Sequence, residues 1–390
     1  MKNRMRVQRI KAKNWRNFKS LDVKIPNRLF IAGPNASGKS NFLDIFRFLR
    51  DVAKPNGGLK NAVEERGGLK SIRCLAARQD TDITIEITIL DRTDVEEKKW
   101  EYLLSINSKG RDFKVVAEKV VCNGKVEVDR PNKEDKNDPE QLAQTHLEQL
   151  TANQKFRSLA AFFTSFSYLH LVPQLIRYAH VFSSNRIPDD PFGQSFLQMI
   201  KATQKRTRDA RLKQINKMLQ PVIPHFSDLE IVDDTQGFPH LQVKVDHWRY
   251  IANKQYEDQF SDGTLRLIGL FWMMLANDSL LLLEEPELSL HDAVVEQLPP
   301  LISKTIQYHT KNKKDTQLMM STHSSTIFQD SGISSSEILI VSPGDEASEA
   351  HIAEEIDEVQ QLLKAGVPPI DAIRPKTSPQ KVEQLLLSFE

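Results

Sequence analysis

The stretch that decides the fold is GPNASGKSN, residues 33–41, which contains the pattern Gly-x-x-x-x-Gly-Lys-Ser. Glycines at both ends of such a pattern allow a tight turn and a close approach of the backbone to a ligand. Lys39 adds a point charge that suits a phosphate, and the hydroxyl of Ser40 is a ligand that Mg²⁺ accepts. The pattern predicts a loop, here named the phosphate loop, that binds the phosphates of a nucleotide through backbone N–H groups.

The residues on either side of this loop predict the secondary structure that it requires. RLFIAG, residues 28–33, is an apolar run typical of a short buried strand. SNFLDIFRFLR, residues 40–50, spaces its apolar residues along one face of a helix, at Phe42, Leu43, Ile45, Phe46 and Leu49. Strand, loop and helix thus follow in the order that nucleotide binding needs. A glycine-rich turn without a ligand would not account for Lys39 beside Ser40.

The composition limits the class of protein. A chain of 390 residues can hold two or three domains, or one large α/β domain with insertions. Because 53 Lys and Arg balance 52 Asp and Glu, binding to nucleic acid would depend on local patches of charge. Cys74 and Cys122 form neither a metal-binding pattern nor a disulfide framework, as is usual in a reducing compartment. Since the sequence shows neither a membrane-spanning run nor a secretory signal, we expect a cytoplasmic protein without a membrane partner.

Apolar patterning predicts four regions. They are an N-terminal lobe with the phosphate loop and an antiparallel β block (1–128), a charged loop and helical insertion (129–227), a C-terminal lobe (228–345) and a helical tail (346–390). In the β block, TDITIEITIL and KVVAEKVV alternate apolar and polar residues, and Asn123-Gly124 is a turn signal. Short apolar strands separated by helices indicate a buried, largely parallel sheet. The predicted class is α/β with a mixed or parallel core sheet.

A second stretch, LLLLEEPELSLH at residues 280–291, places the adjacent carboxylates of Glu284 and Glu285 directly after four leucines. Burial of such charges without a partner would be costly. At the carboxyl edge of a parallel sheet they would lie where ligands bind. Glu284 could then reach Mg²⁺ directly or through water, and Glu285 could orient or deprotonate an attacking water. The alternative interpretation is a solvated turn.

With these two stretches the chain resembles the ABC-type ATPases over about residues 1–345. Within them it resembles the branch that contains SMC proteins, DNA double-strand-break repair ATPases and OLD-type proteins. Residues 33–40 match the Walker A loop, Glu284 and Glu285 match the Walker B pair, and PELSLH matches the D-loop. FSDGTLR, residues 260–266, resembles the signature motif, and His323 in STHS matches the switch histidine. The resemblance implies an ABC-type ATPase head that binds ATP and Mg²⁺.

The resemblance also implies roles for individual residues. The catalytic residues would be Lys39, Glu285 and His323. The nucleotide-binding residues would be Gly33, Pro34, Asn35, Ala36, Ser37, Gly38, Lys39, Ser40, Asn41, Arg16, Asn17, Ser261 and Gly263. Ser40 and Glu284 would bind the metal. The sequence departs from the family at Glu284, where an Asp is usual, so that its Mg²⁺ contact can be indirect.

In this family the signature motif of one subunit completes the ATP site of another, which implies a homodimer or higher oligomer that closes on ATP. Members of the branch often carry or accompany a Toprim nuclease, whose chemistry needs a Glu after one strand and an Asp-x-Asp after another. The residues after 291 contain no such pair. We therefore expect the ATPase half of a two-component system whose separate effector is a nuclease, as in phage-defence systems.

Two alternatives stay open beside that hypothesis. The cluster KATQKRTRDARLKQINK, residues 201–217, carries seven Lys or Arg, which on a helix would either track the phosphates of DNA or form a solvated face. The chain could accordingly be a DNA repair or recombination ATPase that acts as an ATP-dependent clamp. It could also be a nucleotide-dependent scaffold with negligible turnover.

Overall fold

A computed structural model describes residues 4–55, 57–93, 96–109, 112–181, 190–224, 226–245, 253–312 and 314–377. The chain divides into two compact units. Unit 1 comprises Met1–Ser167, Asp278–Leu282 and Ile306–Glu390, and unit 2 comprises Tyr168–Asn277 and Leu283–Thr305. Among the described residues, no helix is both long and apolar enough to cross a membrane.

Strands and short helices alternate along the chain. The strands are β1 (Met5–Trp15), β2 (Phe18–Lys24), β3 (Arg28–Ala32), β4 (Ile83–Asp91), β5 (Lys98–Lys109), β6 (Asp112–Cys122), β7 (Lys125–Arg130), β8 (Ser167–Leu169), β9 (Phe226–Asp233), β10 (Pro239–Val245), β11 (Asn253–Tyr256), β12 (Leu280–Glu284), β13 (Gln317–Thr322), β14 (Ile338–Ser342) and β15 (Glu349–Ile352). The helices are α1 (Lys39–Ala53), α2 (Gly58–Glu64), α3 (Leu69–Ile72), α4 (Lys133–Asn137), α5 (Arg157–Thr164), α6 (Pro173–Arg177), α7 (Phe196–Ala202), α8 (Lys205–Leu219), α9 (Asp262–Ala276), α10 (Asp292–Val295), α11 (Leu298–Lys311), α12 (Asp357–Lys364) and α13 (Pro369–Thr377).

An antiparallel sheet in unit 1 has the strand order β2-β1-β4-β5-β6-β7. Every second residue of β4 is an isoleucine at most 1% exposed, so one face of the strand is buried and the polar residues between point away. Asn123 and Gly124 both adopt positive φ and form the tight turn between β6 and β7. The predicted antiparallel block is confirmed.

The core sheet has the strand order β15-β14-β3-β13-β12-β8. Strand β3 lies between β13 and β14, is parallel to both, and is buried from Leu29 to Ala32. β15 pairs antiparallel with β14 at the edge, so the sheet is mixed, as predicted. In the register of β13 on β3, Thr322 pairs with Ala32. The residues that follow these two strands therefore emerge side by side.

Helix α1 fixes the far end of the phosphate loop. It begins after Gly38, and its apolar face, which includes the fully buried Phe42 and Phe46, packs against α5. The ring of Phe46 lies 6.4 Å from that of Phe166, just after α5. Full burial of one such side chain stabilises the fold by about 1.5–3 kcal/mol. The loop is thus held between a buried strand and a buried helix.

Residues 129–140, predicted as a charged loop, contain the last residues of β7 and the short helix α4. Asn132 and Asp135 form a capping box that opens α4. Arg130 is fully buried and bonds to the carboxylates of Glu118 and Asp135 at 3.0 Å and 2.6 Å. Arg130 and Asp135 are thus a buried ion pair that the sequence did not indicate. The other charged residues of the segment are exposed: Asp129, Lys133, Glu134, Lys136, Asp138 and Glu140.

The C-terminal region is also more than a helical tail. Residues Glu349–Ile352 form β15, and only then do α12 and α13 follow. Strand β15 is stabilised by its ladder with β14, a pairing that helical periodicity in the sequence cannot report. Residues 378–390 of the predicted tail lie outside the described residues.

Candidate functional site

The phosphate loop has a backbone that requires glycine at both ends. A Cβ atom at Gly33 would lie 2.1 Å from the carbonyl oxygen of Val341. At Gly38, where φ is +113°, a Cβ atom would lie 2.2 Å from the side-chain amide of Asn17. Ala36 also adopts a positive φ of 61°. This run of unusual dihedrals turns the chain so that it enters α1 at the start of the helix, where unpaired N–H groups favour an anion.

The side chain of Lys39 is buried against the phosphate loop and does not extend into solvent. Its ammonium donates to the carbonyl oxygens of Gly33 at 2.8 Å and Pro34 at 3.0 Å. It also lies 3.2 Å from Nδ1 of His323. Because an ammonium only donates, a hydrogen bond between these two atoms has Nδ1 as its acceptor. The topology of β3 and β13 thus brings two predicted catalytic residues together within unit 1.

The side chain of Asn17 forms hydrogen bonds that fix the phosphate loop. Its side-chain nitrogen donates to the carbonyl oxygen of Ser37 and to the hydroxyl of Ser348, both at 2.7 Å. Its oxygen accepts from the side chain of Asn41 at 2.9 Å. These bonds tie β1–β2, the loop and the first turn of α1 to one another. Direct contact of Asn17 with a nucleotide stays a prediction.

Arg16 is engaged with the side of α1. Its φ is +53°, and its guanidinium donates to Asp44 at 3.0 Å and to the carbonyl oxygen of Ser71 at 3.2 Å. Asp44 is shared with Arg66, whose guanidinium also reaches Asp51. The structure therefore shows Arg16 as a residue that fixes the helix behind the loop, and its predicted contact with a nucleotide also stays a prediction.

The remaining loop residues fit a phosphate and its metal. The hydroxyl of Ser37 is fully buried and has no hydrogen-bond partner among the described residues. A buried polar atom of this kind favours a ligand that can complete its hydrogen bonding. Asn35 and Ser40 are exposed at the mouth of the loop, and Pro34 is half-buried. Ser40 lies in the first turn of α1, where a hydroxyl can serve as a ligand to Mg²⁺.

In unit 2, the glutamate pair follows the buried leucines of β12. Glu284 accepts a hydrogen bond from the hydroxyl of Tyr168, a partner that the sequence did not indicate. Glu285 adopts a φ of +45°, in the left-handed region that residues with a side chain rarely visit. Both carboxylates are half-buried. A strained residue at the end of a buried strand is a common feature of functional sites.

The signature segment, residues 260–266, opens helix α9. The hydroxyl of Ser261 accepts from the backbone N–H of Thr264 at 3.1 Å and caps the helix. A Cβ atom at Gly263 would lie 2.8 Å from the carbonyl oxygen of Ser289, so the segment packs closely on the PELSLH stretch. Within unit 2 the structure therefore brings Gly263 beside Ser289, which follows the glutamate pair.

Two further residues position the signature segment and were missed by sequence reasoning. Arg177 at the end of α6 donates to Asp262 at 2.7 Å and to the carbonyl oxygen of Phe260, also at 2.7 Å. Gln174 donates to the same carboxylate at 3.0 Å. Nothing near Arg177 in the sequence signals this contact, because its partner lies 85 residues away.

Arg266, one turn into α9, is a partly buried cation beside several acids. Burial lowers the pKa of its guanidinium, against the opposing influence of Asp262, Glu287 and Glu285. Its Nε and Nη1 atoms have no hydrogen-bond partner among the described residues. The positive charge therefore lies in unit 2 close to the carboxylates that follow β12.

The basic cluster 201–217 lies mainly on α8 and is partly neutralised. Arg208 pairs with Asp209 at 3.2 Å, and Arg211 lies over the ring of Trp272 at 5.4 Å. Four cations of this helix are exposed: Lys205, Arg206, Lys213 and Lys217. Together with the exposed Lys201 on α7, these four form the part of the cluster that a ligand in solvent can reach.

Comparison with known proteins agrees with this geometry. The sequence profile of the family described as "AAA domain, putative AbiEii toxin, Type IV TA system" matches residues 29–328, which include the phosphate loop, the signature segment, the glutamate pair and His323. No curated protein matches the chain.

Solved structures show a similar fold at low identity. The Smc head domain with an extended coiled coil from Pyrococcus furiosus, bound to the C-terminal domain of ScpA, is 13% identical with a TM-score of 0.50; the match covers 93% of this chain and 99% of that one. The Smc head domain with a coiled coil and joint from Pyrococcus yayanosii is 11% identical with a TM-score of 0.50, and the match covers 93% and 100%. The predicted ABC-type ATPase head fold is confirmed.

Proposed function

Because the chain belongs to this AAA-domain family, we propose that it binds and hydrolyses ATP and that ATP binding closes a homodimer. The observation that carries the proposal is the ammonium of Lys39, which the fold holds between the phosphate loop and His323. Such a buried cation at a glycine-rich helix start is suited to the β- and γ-phosphates of a nucleotide.

The proposed reaction is attack of water on the γ-phosphorus, with cleavage of the bond to the bridging oxygen and release of ADP and phosphate. Glu285 accepts the proton of the attacking water. Lys39 and the loop N–H groups hold the phosphates, and His323 donates to the terminal phosphate through Nε2. Bound Mg²⁺, for which Ser40 and Glu284 are the proposed protein ligands, supplies charge neutralisation.

The proposed dimer closure is supported by the exposed position of Ser261. A capped helix start with an exposed hydroxyl is a surface that can bind a phosphate presented by a second copy. We propose that the signature segment of one chain, with Ser261 and Gly263, contacts the ATP bound by the phosphate loop of the other. The protein would act in the cytoplasm, where its free thiols Cys74 and Cys122 stay reduced.

The variant Lys39→Ala tests the ATP-binding proposal. It should lose ATP binding and turnover together, because the loop loses its cation. Lys60→Ala, which removes an exposed lysine of α2, is the matched control and should behave as the wild type. ATP affinity and turnover at the wild-type level in Lys39→Ala would refute the assignment of the loop.

The effector of this switch is proposed to be a separate nuclease in anti-phage defence. This part of the proposal is supported by the motif set, which resembles ATPases that act beside a nuclease. Affinity purification from the native host followed by mass spectrometry tests it. A nuclease that co-elutes with the wild type, and whose recovery changes in Lys39→Ala, would support the proposal; recovery of no nuclease would count against it.

An ATP-dependent DNA clamp is the second candidate. The row of exposed cations on α8, Lys205, Arg206, Lys213 and Lys217, favours it because such a row can track phosphates. Stimulation of the ATPase by DNA in the absence of any partner, lost when Lys213 and Lys217 are both changed to Ala, would select this function. ATPase activity that is indifferent to DNA would exclude it.

A further inference from the structure

A cavity of about 330 Å³ lies in unit 1 beside the phosphate loop. One wall is formed by Gly33 and by the switch loop, His323 to Ser325. Helix α13 also lines the cavity, with Ile373 and Arg374. Gly33 and His323 are also the residues that hold Lys39, so the cavity adjoins the cation of the phosphate loop.

Helix α13, which lines this cavity, is packed against the rest of unit 1. Ile373 is only 2% exposed, and the helix packs against β14 and against the turn Ser325–Gln329. The family match ends at residue 328, so α13 is an element that the match does not account for. Arg374 on this helix therefore lies outside the residues that the family match covers.

The chemistry of the cavity suits an oxyanion. Arg374 brings a permanent positive charge, is exposed, and forms no ion pair with another residue of the described ranges. His323 and the hydroxyls of Ser324 and Ser325 add hydrogen-bond donors. None of the described residues that line the cavity is an Asp or a Glu. A guanidinium with nearby donors and no carboxylate is the usual environment of a bound phosphate.

We propose that this cavity is a binding site for the terminal phosphate and that Arg374 recognises it. The inference rests on the ATPase function proposed above. The ligand chemistry is a phosphate oxyanion that is either still attached to ATP or already released by hydrolysis. The contact of Arg374 with the phosphate would thereby link helix α13, in the C-terminal region, to the presence of the γ-phosphate.

Calorimetric titration of the full-length chain tests this site. Inorganic phosphate, ADP and ATP are titrated separately into the parent protein and into three variants, Arg374→Ala, Arg374→Lys and Lys376→Ala. For the ATP titrations every protein also carries Glu285→Gln, so that ATP is not hydrolysed during the measurement. Lys376 is the matched control because it is a cation of the same helix that pairs with Glu358 at 2.9 Å. Arg374→Ala should bind the phosphate oxyanion about tenfold more weakly, as expected from the loss of one charge-assisted hydrogen bond. Arg374→Lys should recover part of the affinity, and Lys376→Ala should show no change.

The separate titrations identify the source of the phosphate. Weaker binding of inorganic phosphate alone assigns the cavity to the released product, and weaker binding of ATP alone assigns it to the attached γ-phosphate. ADP affinity should be the same in all four proteins. The inference is overturned if Arg374→Ala binds both phosphate and ATP as the parent does, or if it loses ADP affinity equally. A parent protein that binds neither ADP nor ATP would instead overturn the ATPase function itself.

Discussion

The Nζ atom of Lys39 lies 3.2 Å from Nδ1 of His323, although 284 residues separate them in the chain. The contact exists because β3 and β13 are adjacent parallel strands whose last residues, Ala32 and Thr322, are paired. The phosphate loop that follows β3 leads to Lys39, and His323 directly follows β13. Both residues therefore lie beyond the carboxyl ends of these strands, which is where open α/β sheets bind ligands. The proximity of the phosphate-binding cation and the histidine is thus a direct consequence of strand order.

Replacement of His323 should slow ATP hydrolysis while leaving ATP binding nearly unchanged. We expect His323→Ala to bind ATP with nearly the affinity of the wild type and to hydrolyse it about 100-fold more slowly, because a hydrogen-bond donor to the transition state is lost. His351→Ala, which removes an exposed histidine of β15, is the control. Turnover of His323→Ala within twofold of the control would show that the histidine is only structural.

The ion-pair cluster behind α1 should contribute to stability. Arg66 is 6% exposed and bonds to both Asp44 and Asp51 at 2.9 Å. Arg66→Ala should lower the free energy of unfolding by about 2 kcal/mol, because two buried carboxylates each lose one charge-assisted hydrogen bond. The loss is not larger because Asp44 keeps its bond to Arg16 and Asp51 keeps its bond to Arg50. Arg9→Ala, which breaks an exposed pair with Asp22, should cost less than about 1 kcal/mol. Urea denaturation of the full-length chain measures both losses. It is followed by tryptophan fluorescence, to which Trp15 beside Phe48 contributes. Equal losses in the two variants would rule out a special contribution of the buried cluster.

The effect of Arg66→Ala should also depend on pH. Burial acts to raise the pKa of Asp51, but the guanidinium groups of Arg50 and Arg66 outweigh it and hold the pKa below its ordinary value. A lowered pKa in the folded state means that the stabilisation is complete above the unfolded pKa of about 3.9 and is lost as the pH falls through the folded value. The difference between wild type and Arg66→Ala should therefore shrink below about pH 4. A difference that stays constant down to about pH 2 would rule out this electrostatic origin.

Ser261→Arg should block dimer closure while leaving ATP binding by a single chain intact. A long side chain at the start of α9 would fill the position that we assign to the γ-phosphate of the partner's ATP. Ser331→Arg, at an exposed serine in unit 1, controls for the added charge. Light scattering with and without ATP measures the molecular mass and so shows whether two chains associate. Closure of Ser261→Arg at the wild-type ATP concentration would remove Ser261 from the interface.

The purified chain should hydrolyse ATP but cleave neither DNA nor RNA with any divalent metal. The reason is that we assign Glu284 and Glu285 to the nucleotide, so cleavage would come from a second protein. Gel assays with Mg²⁺ and Mn²⁺ measure this directly, with Lys39→Ala as the comparison. Robust cleavage of DNA or RNA by the single chain, retained in Lys39→Ala, would show that the chain contains a nuclease site separate from the ATP site.

The sequence predicted those parts of the site that local pattern determines. The phosphate loop and its flanking strand and helix could be predicted because their spacing and dihedral requirements lie within about twenty consecutive residues. The antiparallel block could be predicted because alternation marks each strand separately.

The parts that could not be predicted depend on pairs distant in the chain. Tyr168 reaches Glu284 across 116 residues, and no local signal marks a tyrosine as the partner of that carboxylate. The burial of Arg130 could not be predicted because its two carboxylates, Glu118 and Asp135, become partners only after β6, β7 and α4 have formed. Charge alone does not tell a buried ion pair from an exposed one.

The most direct test of the central claim, that ATP binding closes a homodimer, is sedimentation of Glu285→Gln with and without ATP. An amide cannot accept the proton of the attacking water, so this variant should bind ATP, hydrolyse it slowly and accumulate as the closed assembly. We expect a monomer without nucleotide and a dimer or larger species with ATP, and we expect no such shift in the double variant Lys39→Ala, Glu285→Gln. A sedimentation coefficient that is unchanged by saturating ATP in Glu285→Gln would contradict the claim.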